Sequence, residues 1–258
     1  MVKGLYAAYT GMIHQEHRMD VLTNNLANVN TNGFKKEGAT AQAFDDVLAL
    51  KIKDTSVGYH LASKLGMNNP GVKIGEGYTD FSQGSIKATD NPFDLALTDA
   101  GFFVIEFTNK AGESSIKYTR DGNFTMNTDG ELVTQDGDYV LGTDGKHIKV
   151  DPLKQTVVNI SGQVIQDGKV VGQIQVADFE DYDFLERYGE NYFQTVEGAT
   201  EKESSAKIYQ GYLEGSNISV VDEMVNMITV QRAYESNQKV ITTIDSTLDI
   251  AANQLGKL

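Results

Sequence analysis

An α+β chain in several parts is what this sequence predicts: a discontinuous α-helical coiled coil drawn from both termini, and between them a central all-β antiparallel domain. Three observations carry that expectation. Apolar residues recur every seven positions at each end, Asp-Gly dipeptides recur every seven or eight in the middle, and almost all the net charge sits in the middle. The predicted parts are residues 1–33 and 216–258 as terminal helices, 34–75 as a connecting segment, and 76–215 as the β domain. With 258 residues there is ample chain to bury a core.

At the N-terminal end Leu5, Met12, Met19 and Leu26 are spaced by seven, and three positions beyond each stand Ala8, Gln15, Leu22 and Val29. This is the a/d pattern of a helix with a narrow apolar seam. Asn30-Thr31-Asn32-Gly33 follows as a stop, because glycine readily takes the left-handed conformation beyond a helix C-terminus. His14 and His17 project away from that seam. The C-terminal end repeats the pattern at greater length: Val220, Met227, Tyr234, Ile241, Leu248 and Leu255, with Glu223, Val230, Asn237, Ile244 and Ala251 three further on. Ser219-Val220-Val221-Asp222 fits the Ser-x-x-Asp signature of a helix start. Drawn as continuous helices, 5–29 and 220–255 would be about 37 and 54 Å long.

Two such helices leave more apolar surface than one thin hairpin covers, as Met12, Ile13, Val225, Ile228 and Ile241 illustrate, and surface of that extent marks an assembly interface. The expected interface residues are therefore Leu5, Met12, Met19, Leu22, Leu26, Val220, Met227, Tyr234, Ile241, Ile244, Leu248 and Leu255. Short helices of this kind are ordered by packing more than by propensity, so the ends are expected to fray until a partner covers them.

Between the helices, Asp-Gly at 121–122, 129–130, 136–137, 144–145 and 167–168 reads as a series of hairpin turns. They separate β-prone runs at 102–107, 118–120, 123–126, 132–135, 139–141, 147–150, 156–160, 164–166, 169–179 and 192–196. Residues 41–52 fit a short helix carrying Phe44, Val47 and Leu48, while Gly58, Gly66, Asn68-Asn69-Pro70-Gly71 and Gly75-Glu76-Gly77 read as loop.

The charge is −14 in total, of which residues 41–214 carry −13. Nucleic acid is excluded as a partner, since its recognition rests on clustered Lys and Arg, and an anionic membrane surface is as poorly matched. No apolar run approaches the ~20 residues of a membrane-spanning helix, nor can the apolar core of a cleavable signal be drawn in the first twenty residues. Without cysteine there is no disulfide, thiolate or Cys-metal chemistry. The Asp-Gly segments fail the ligand spacing of a calcium loop. The acidic stretch Asp178, Glu180, Asp181, Asp183, Glu186 reads as a solvated loop rather than a carboxylate pair, and His14-Gln15-Glu16-His17 is not a zinc motif. No catalytic constellation, cofactor or metal is expected.

Several longer stretches resemble the bacterial flagellar basal-body rod and hook proteins. Leu22-Thr23-Asn24-Asn25-Leu26-Ala27-Asn28-Val29-Asn30-Thr31-Asn32-Gly33-Phe34-Lys35 is similar to that family's N-terminal signature. Asp80–Ser85, Asn91–Ala96, Gly101–Phe103 and Tyr118–Phe124 resemble its central segments in the expected order. Tyr209–Asn217, Glu223–Ile228 and Gln231-Arg232-Ala233-Tyr234-Glu235 resemble its C-terminal block, in a form most like distal rod proteins. The alternatives are a proximal rod protein of the same family and a non-flagellar acidic β binding module dimerised by its terminal helices. The resemblance implies a subunit exported without cleavage through the flagellar type III apparatus. It implies a place in the basal body outside the cytoplasmic membrane, in a hollow helical homopolymer with other rod and hook subunits as neighbours. Near-neutral ends flanking a charged middle agree with that expectation.

Overall fold

The computed structural model of the chain describes residues 2–52, 62–110 and 112–255. They fall into two units, one comprising Met1–Leu26, Glu37–Thr79 and Val220–Leu258, the other Ala27–Lys36 and Asp80–Ser219.

In the first unit α1 (Val2–Ala27) and α2 (Val220–Ile250) are the two helices expected from the heptads, α2 closing in a π-type turn at Ala251–Leu255. Asp222 and Glu223 in the first turn of α2 complement the positive end of its dipole. The helices run antiparallel. A carbon built on Gly4 would lie 3.8 Å from Ile244 Cδ1, and one on Gly11 3.0 Å from Asn237 Nδ2, so seven residues up α1 match seven down α2. Residues 34–75 are expected to be connecting chain with a helix at 41–52; of the described residues there, 36–43, 47–52, 62–68 and 72–75 are strands of β-ribbon instead, and Gly58 lies outside the described residues. The strands are β1 (Lys36–Ala43), β2 (Val47–Ile52), β3 (Ala62–Asn68) and β4 (Val72–Asp80), with β1 pairing β4 and β2 pairing β3. Phe44, Val47 and Leu48 resemble a helical face in spacing, but antiparallel pairing of 47–52 with 62–68 satisfies the backbone and decides the outcome.

The ribbon lies along α1. Asn25 donates to the Glu37 carbonyl (2.8 Å) and accepts from its N–H (3.0 Å), and a side chain at Gly71 would collide with Thr10 and come within 3.3 Å of the Ala7 Cα. Thr10 and Ala7 of α1 thus meet the ribbon. His14, expected to project away from the heptad seam, is buried.

The second unit is antiparallel β throughout. Strands β5 (Ile86–Ala88), β6 (Leu95–Thr98), β7 (Phe102–Thr108), β8 (Ser114–Thr119), β9 (Phe124–Met126), β10 (Leu132–Thr134) and β11 (Tyr139–Val140) come first. A three-stranded sheet follows, β12 (Thr156–Val158), β13 (Gln163–Gln166) and β14 (Lys169–Gln173). Then come β15 (Val176–Phe179), β16 (Leu185–Tyr188), β17 (Tyr192–Thr195), β18 (Glu201–Glu203), β19 (Lys207–Gln210) and β20 (Tyr212–Glu214). Strand β7 is the centre of a nine-stranded sheet, pairing β8, β11 and β15.

Because strand side chains alternate, β7 feeds two cores. Phe103 and Ile105 pack with Phe124, Val150, Val164 and Ile174 on one face. Phe102 and Val104 pack with Tyr118, Phe179, Leu185 and Phe193 on the other. Of the Asp-Gly pairs, only Asp167-Gly168 is a two-residue turn with both φ positive (49° and 73°). Gly130, Gly137 and Gly145 close longer turns, and Asp121-Gly122 is no turn: its glycine lets the backbone press on Leu95, whose N–H bonds the Gly122 carbonyl (3.0 Å). Residues 147–150 make only isolated bridges, and 169–179 divides into β14 and β15.

Candidate assembly surface

Within the first unit, α1 meets α2 at Gly4 against Ile244 and at Gly11 against Asn237. Leu22 and Val230 are buried, and Leu5, Met12, Met19, Leu26, Met227, Tyr234, Ile241 and Ile244 are half-buried. Val220 and Leu248, at the two ends of the α2 seam, stay about two-fifths exposed. The side chain of Leu255 lies outside the described residues. Much of the seam is thus occupied by the chain itself.

The apolar surface left open is a different one. On α1, Tyr6, Tyr9 and Ile13 follow the i, i+3, i+7 spacing of a single face, set between the seam and the ribbon-covered face, and all three are exposed. On α2, Val221, Met224, Val225 and Ile228 form one stripe roughly opposite the seam, with Val221 71% exposed. Polar residues (Arg232, Glu235) end this stripe after two turns. Ile13, Val225 and Ile228, expected from the sequence to stay uncovered, belong to these stripes, whereas Met12 and Ile241 are half-buried.

A third feature lies in the second unit, where the chain leaving α1 and the chain approaching α2 meet. Glu214, at the end of β20, is fully buried between Lys35 Nζ (2.7 Å) and Arg120 (3.2 Å). Its Oε1 also accepts the Gly84 N–H (2.9 Å), and its carbonyl accepts the Gly33 N–H (2.8 Å). Lys35 donates further to the Ser82 carbonyl (2.8 Å). Asn217 accepts from the Lys36 N–H (2.8 Å) and donates to the Asp80 carbonyl (2.8 Å). Arg187 donates to the Lys35 carbonyl and stacks on Phe34. Burial holds the Lys35 ammonium pKa below its ordinary value, and the Glu214 charge only partly offsets this. The arrangement fastens both crossings to one point. Lys35 and Glu214 stand in the stretches that resemble the family, but nothing in their local pattern marks them as a pair.

Other chemistry is structural. Asp178 is buried, accepting the Tyr182 hydroxyl (2.7 Å) and the Phe179 N–H (2.9 Å), with Lys202 at 3.6 Å. Among the described residues no group of His, Asp and Glu has the geometry to hold a metal ion, and no helix is long and apolar enough to cross a membrane.

Two terminal helices that flank a β body in sequence and carry exposed apolar stripes are the build of a structural assembly subunit. Three family models match in chain order: the flagella basal body rod protein model at residues 5–35, the FlgE/F/G hook protein D1 domain at 96–175, and the C-terminal model of the FlgEFG basal body rod proteins at 209–255. The basal-body rod protein FlgG of Buchnera aphidicola (from Acyrthosiphon pisum) is 33% identical, the match covering 96% of this chain and 98% of that protein. FlhO of Bacillus subtilis, a hook-basal body complex protein, is 34% identical over the full length of both chains. FlgF of Caulobacter vibrioides, a basal-body rod protein, is 33% identical, also over both full lengths. The chain belongs to the flagellar basal-body rod protein family.

Proposed function

We propose that the chain is a structural subunit of the flagellar basal-body rod, in its distal part, and that it polymerises head to tail through its terminal helices. The observation that carries this is the end-to-end similarity to rod proteins, FlgG among them from several bacteria. In this reading α1 and α2 pair as an antiparallel coiled coil inside each subunit through Leu5, Met12, Met19, Leu22, Leu26, Val220, Met227, Tyr234, Ile241, Ile244, Leu248 and Leu255. The Tyr6 and Val225 stripes then meet neighbouring copies. Such a contact is heterologous and does not close on itself, so it builds a helical filament. The role is structural rather than catalytic. The subunit reaches the basal body through the type III export apparatus, outside the cytoplasmic membrane and without a cleaved signal, where other rod and hook subunits adjoin it.

Val225→Asp combined with Ile228→Asp tests the reading, because both side chains are exposed and the monomer should fold. Expected are monomers at all concentrations with normal β-domain spectra, and cells that do not swim. Normal rods and swimming from this variant would sink the assignment. A proximal position is the second reading, favoured by the full-length match to FlgF. Deleting the gene leaves a short stub of rod if the position is distal and no stub if it is proximal.

A further inference from the structure

The second unit carries two unlike surfaces on opposite sides of its central strand. One is the outer face of the β12–β14 sheet. Val164 and Gln166 point into the core, so the alternating residues point out, and Val157, Ile165 and Val170 stand in one cross-strand row. Val157 and Val170 are about half exposed, with Val171 and Ile160 similar. Beside them Leu153 is 94% exposed. It is held out rigidly: Asp151 accepts the Leu153 N–H (3.1 Å) and the Lys154 N–H (3.2 Å), and Gln166 clamps Asp151 from both sides at 3.0 Å. An open groove of about 610 Å³ adjoins this face, lined in part by Phe93, Met126, Pro152 and Val157. Residues 146–173 contain four lysines against two aspartates, +2 in a chain of −14. Lys154 pairs with Asp151 and Asp167, and Lys149 with Glu131, so the rim is weakly basic.

The other surface is the outside of the layer that covers Phe102 and Val104. Phe184 and Val196 are exposed there, joined by a Val196 N–H to Phe184 carbonyl bond of 2.9 Å. Residues 178–203 hold nine carboxylates against Arg187 and Lys202, a net −7. The β12–β14 sheet packs on the Phe103 and Ile105 side of β7, and the acidic layer on the Phe102 and Val104 side. One molecule cannot bring these two faces together. Two copies can, and each then keeps one face of either kind open for the next.

We propose that the apolar, lysine-rimmed face centred on Leu153, Val157 and Val170 docks on the acidic face around Phe184 and Val196 of a second copy of this chain. The contact rests on the polymer reading above and adds to the helices a second, outer connection between subunits. Charge complementarity chooses the occupant: like faces repel or leave apolar surface uncovered, whereas unlike faces attract and bury it. A strongly acidic domain gains by meeting itself at a basic, apolar side.

The chain has no cysteine, so single thiols report contacts cleanly. Val170→Cys and Val196→Cys replace exposed valines with a smaller side chain. With a short bis-maleimide at assembling concentrations, an equal mixture of the two single variants should give cross-linked dimers, and the double variant a ladder. Either single variant alone should stay monomeric on denaturing gels. Raising the salt from about 0.05 to 0.5 M should weaken the cross-linking. Strong dimers from Val170→Cys alone overturn the proposal in favour of a two-fold pairing. Polymers that pellet without any 170–196 cross-link overturn it while leaving the rod reading intact. If no polymer forms under any condition, both readings fall, and Lys169→Glu with Val170→Asp will not show the expected rise of about tenfold in the concentration needed for assembly.

Discussion

Glu214 decides more than any other single residue in the second unit. Its carboxylate is buried against two cations and a backbone N–H, so removing its charge strands Lys35 and Arg120 in a site that excludes water. Breaking one member of a buried ion cluster costs about 3–5 kcal/mol. Glu214→Gln is therefore expected to lower the unfolding free energy of the second unit by that much, read from urea melts at unchanged slope, and an unchanged midpoint would contradict the role given to it. His14 gives a second prediction at this scale. Burial is the main cause that lowers its pKa from 6.5, with Arg18 and His17 adding repulsion. Below pH 6.5 the unfolded chain takes up a proton that the folded chain resists, so the stability of the helix unit is full above that pH and declines as acid is added. His14→Gln should flatten the decline, read as thermal melting followed at 222 nm between pH 7.5 and 5. Neither role was legible in advance. Lys35 and Glu214 stand 179 positions apart, and His14 looked outward because only one covered face of α1 was visible in its heptads.

At the scale of elements, periodicity was a good guide where one face is buried against one partner. The helices and most strands of the β body start within a few residues of where spacing put them, with β7 and its neighbours clearest. It misled at 41–52, where the apolar residues of a two-stranded ribbon have no regular inward side. Such a ribbon is marginal alone and here leans on α1 at Asn25 and Gly71. Turn chemistry also proved less uniform than the Asp-Gly repeat suggested. Gly33 shows the difference between a turn that needs only a positive φ and one that needs space as well. Its φ is +67°, and an added Cβ would run into the Arg120–Asp121 backbone, whereas Gly145 at +66° faces open space. Gly145→Ala should cost about 1 kcal/mol from strain alone. Gly33→Ala should cost clearly more by the same chemical denaturation, because rigid backbone must move. Equal losses would mean that the chain at Gly33 yields easily to an added side chain.

For the whole molecule, the division of labour follows the charge: near-neutral segments make the helices, and the acidic middle makes the β body. The boundary between them is not where composition changes. Residues 27–36 follow directly on α1, yet they pack into the second unit, with Phe34 and Lys35 about 1% exposed. A fragment spanning 80–219 keeps every strand of the β body but loses Phe34 beside Arg187, the Lys35 partner of Glu214, and the Gly33 N–H on the Glu214 carbonyl. It is left with a buried apolar gap next to a carboxylate short of one cation. That fragment should fold only weakly and be cut rapidly by trypsin. Supplying residues 27–36 as a separate peptide should restore its protection, since a ligand that binds only the folded form stabilises it by mass action. The same peptide with Lys35→Ala should restore far less, and one with Thr31→Ala nearly as much as the parent. Full protease resistance of 80–219 without any peptide would show that the β body completes its own core, and that residues 27–36 merely lie on it.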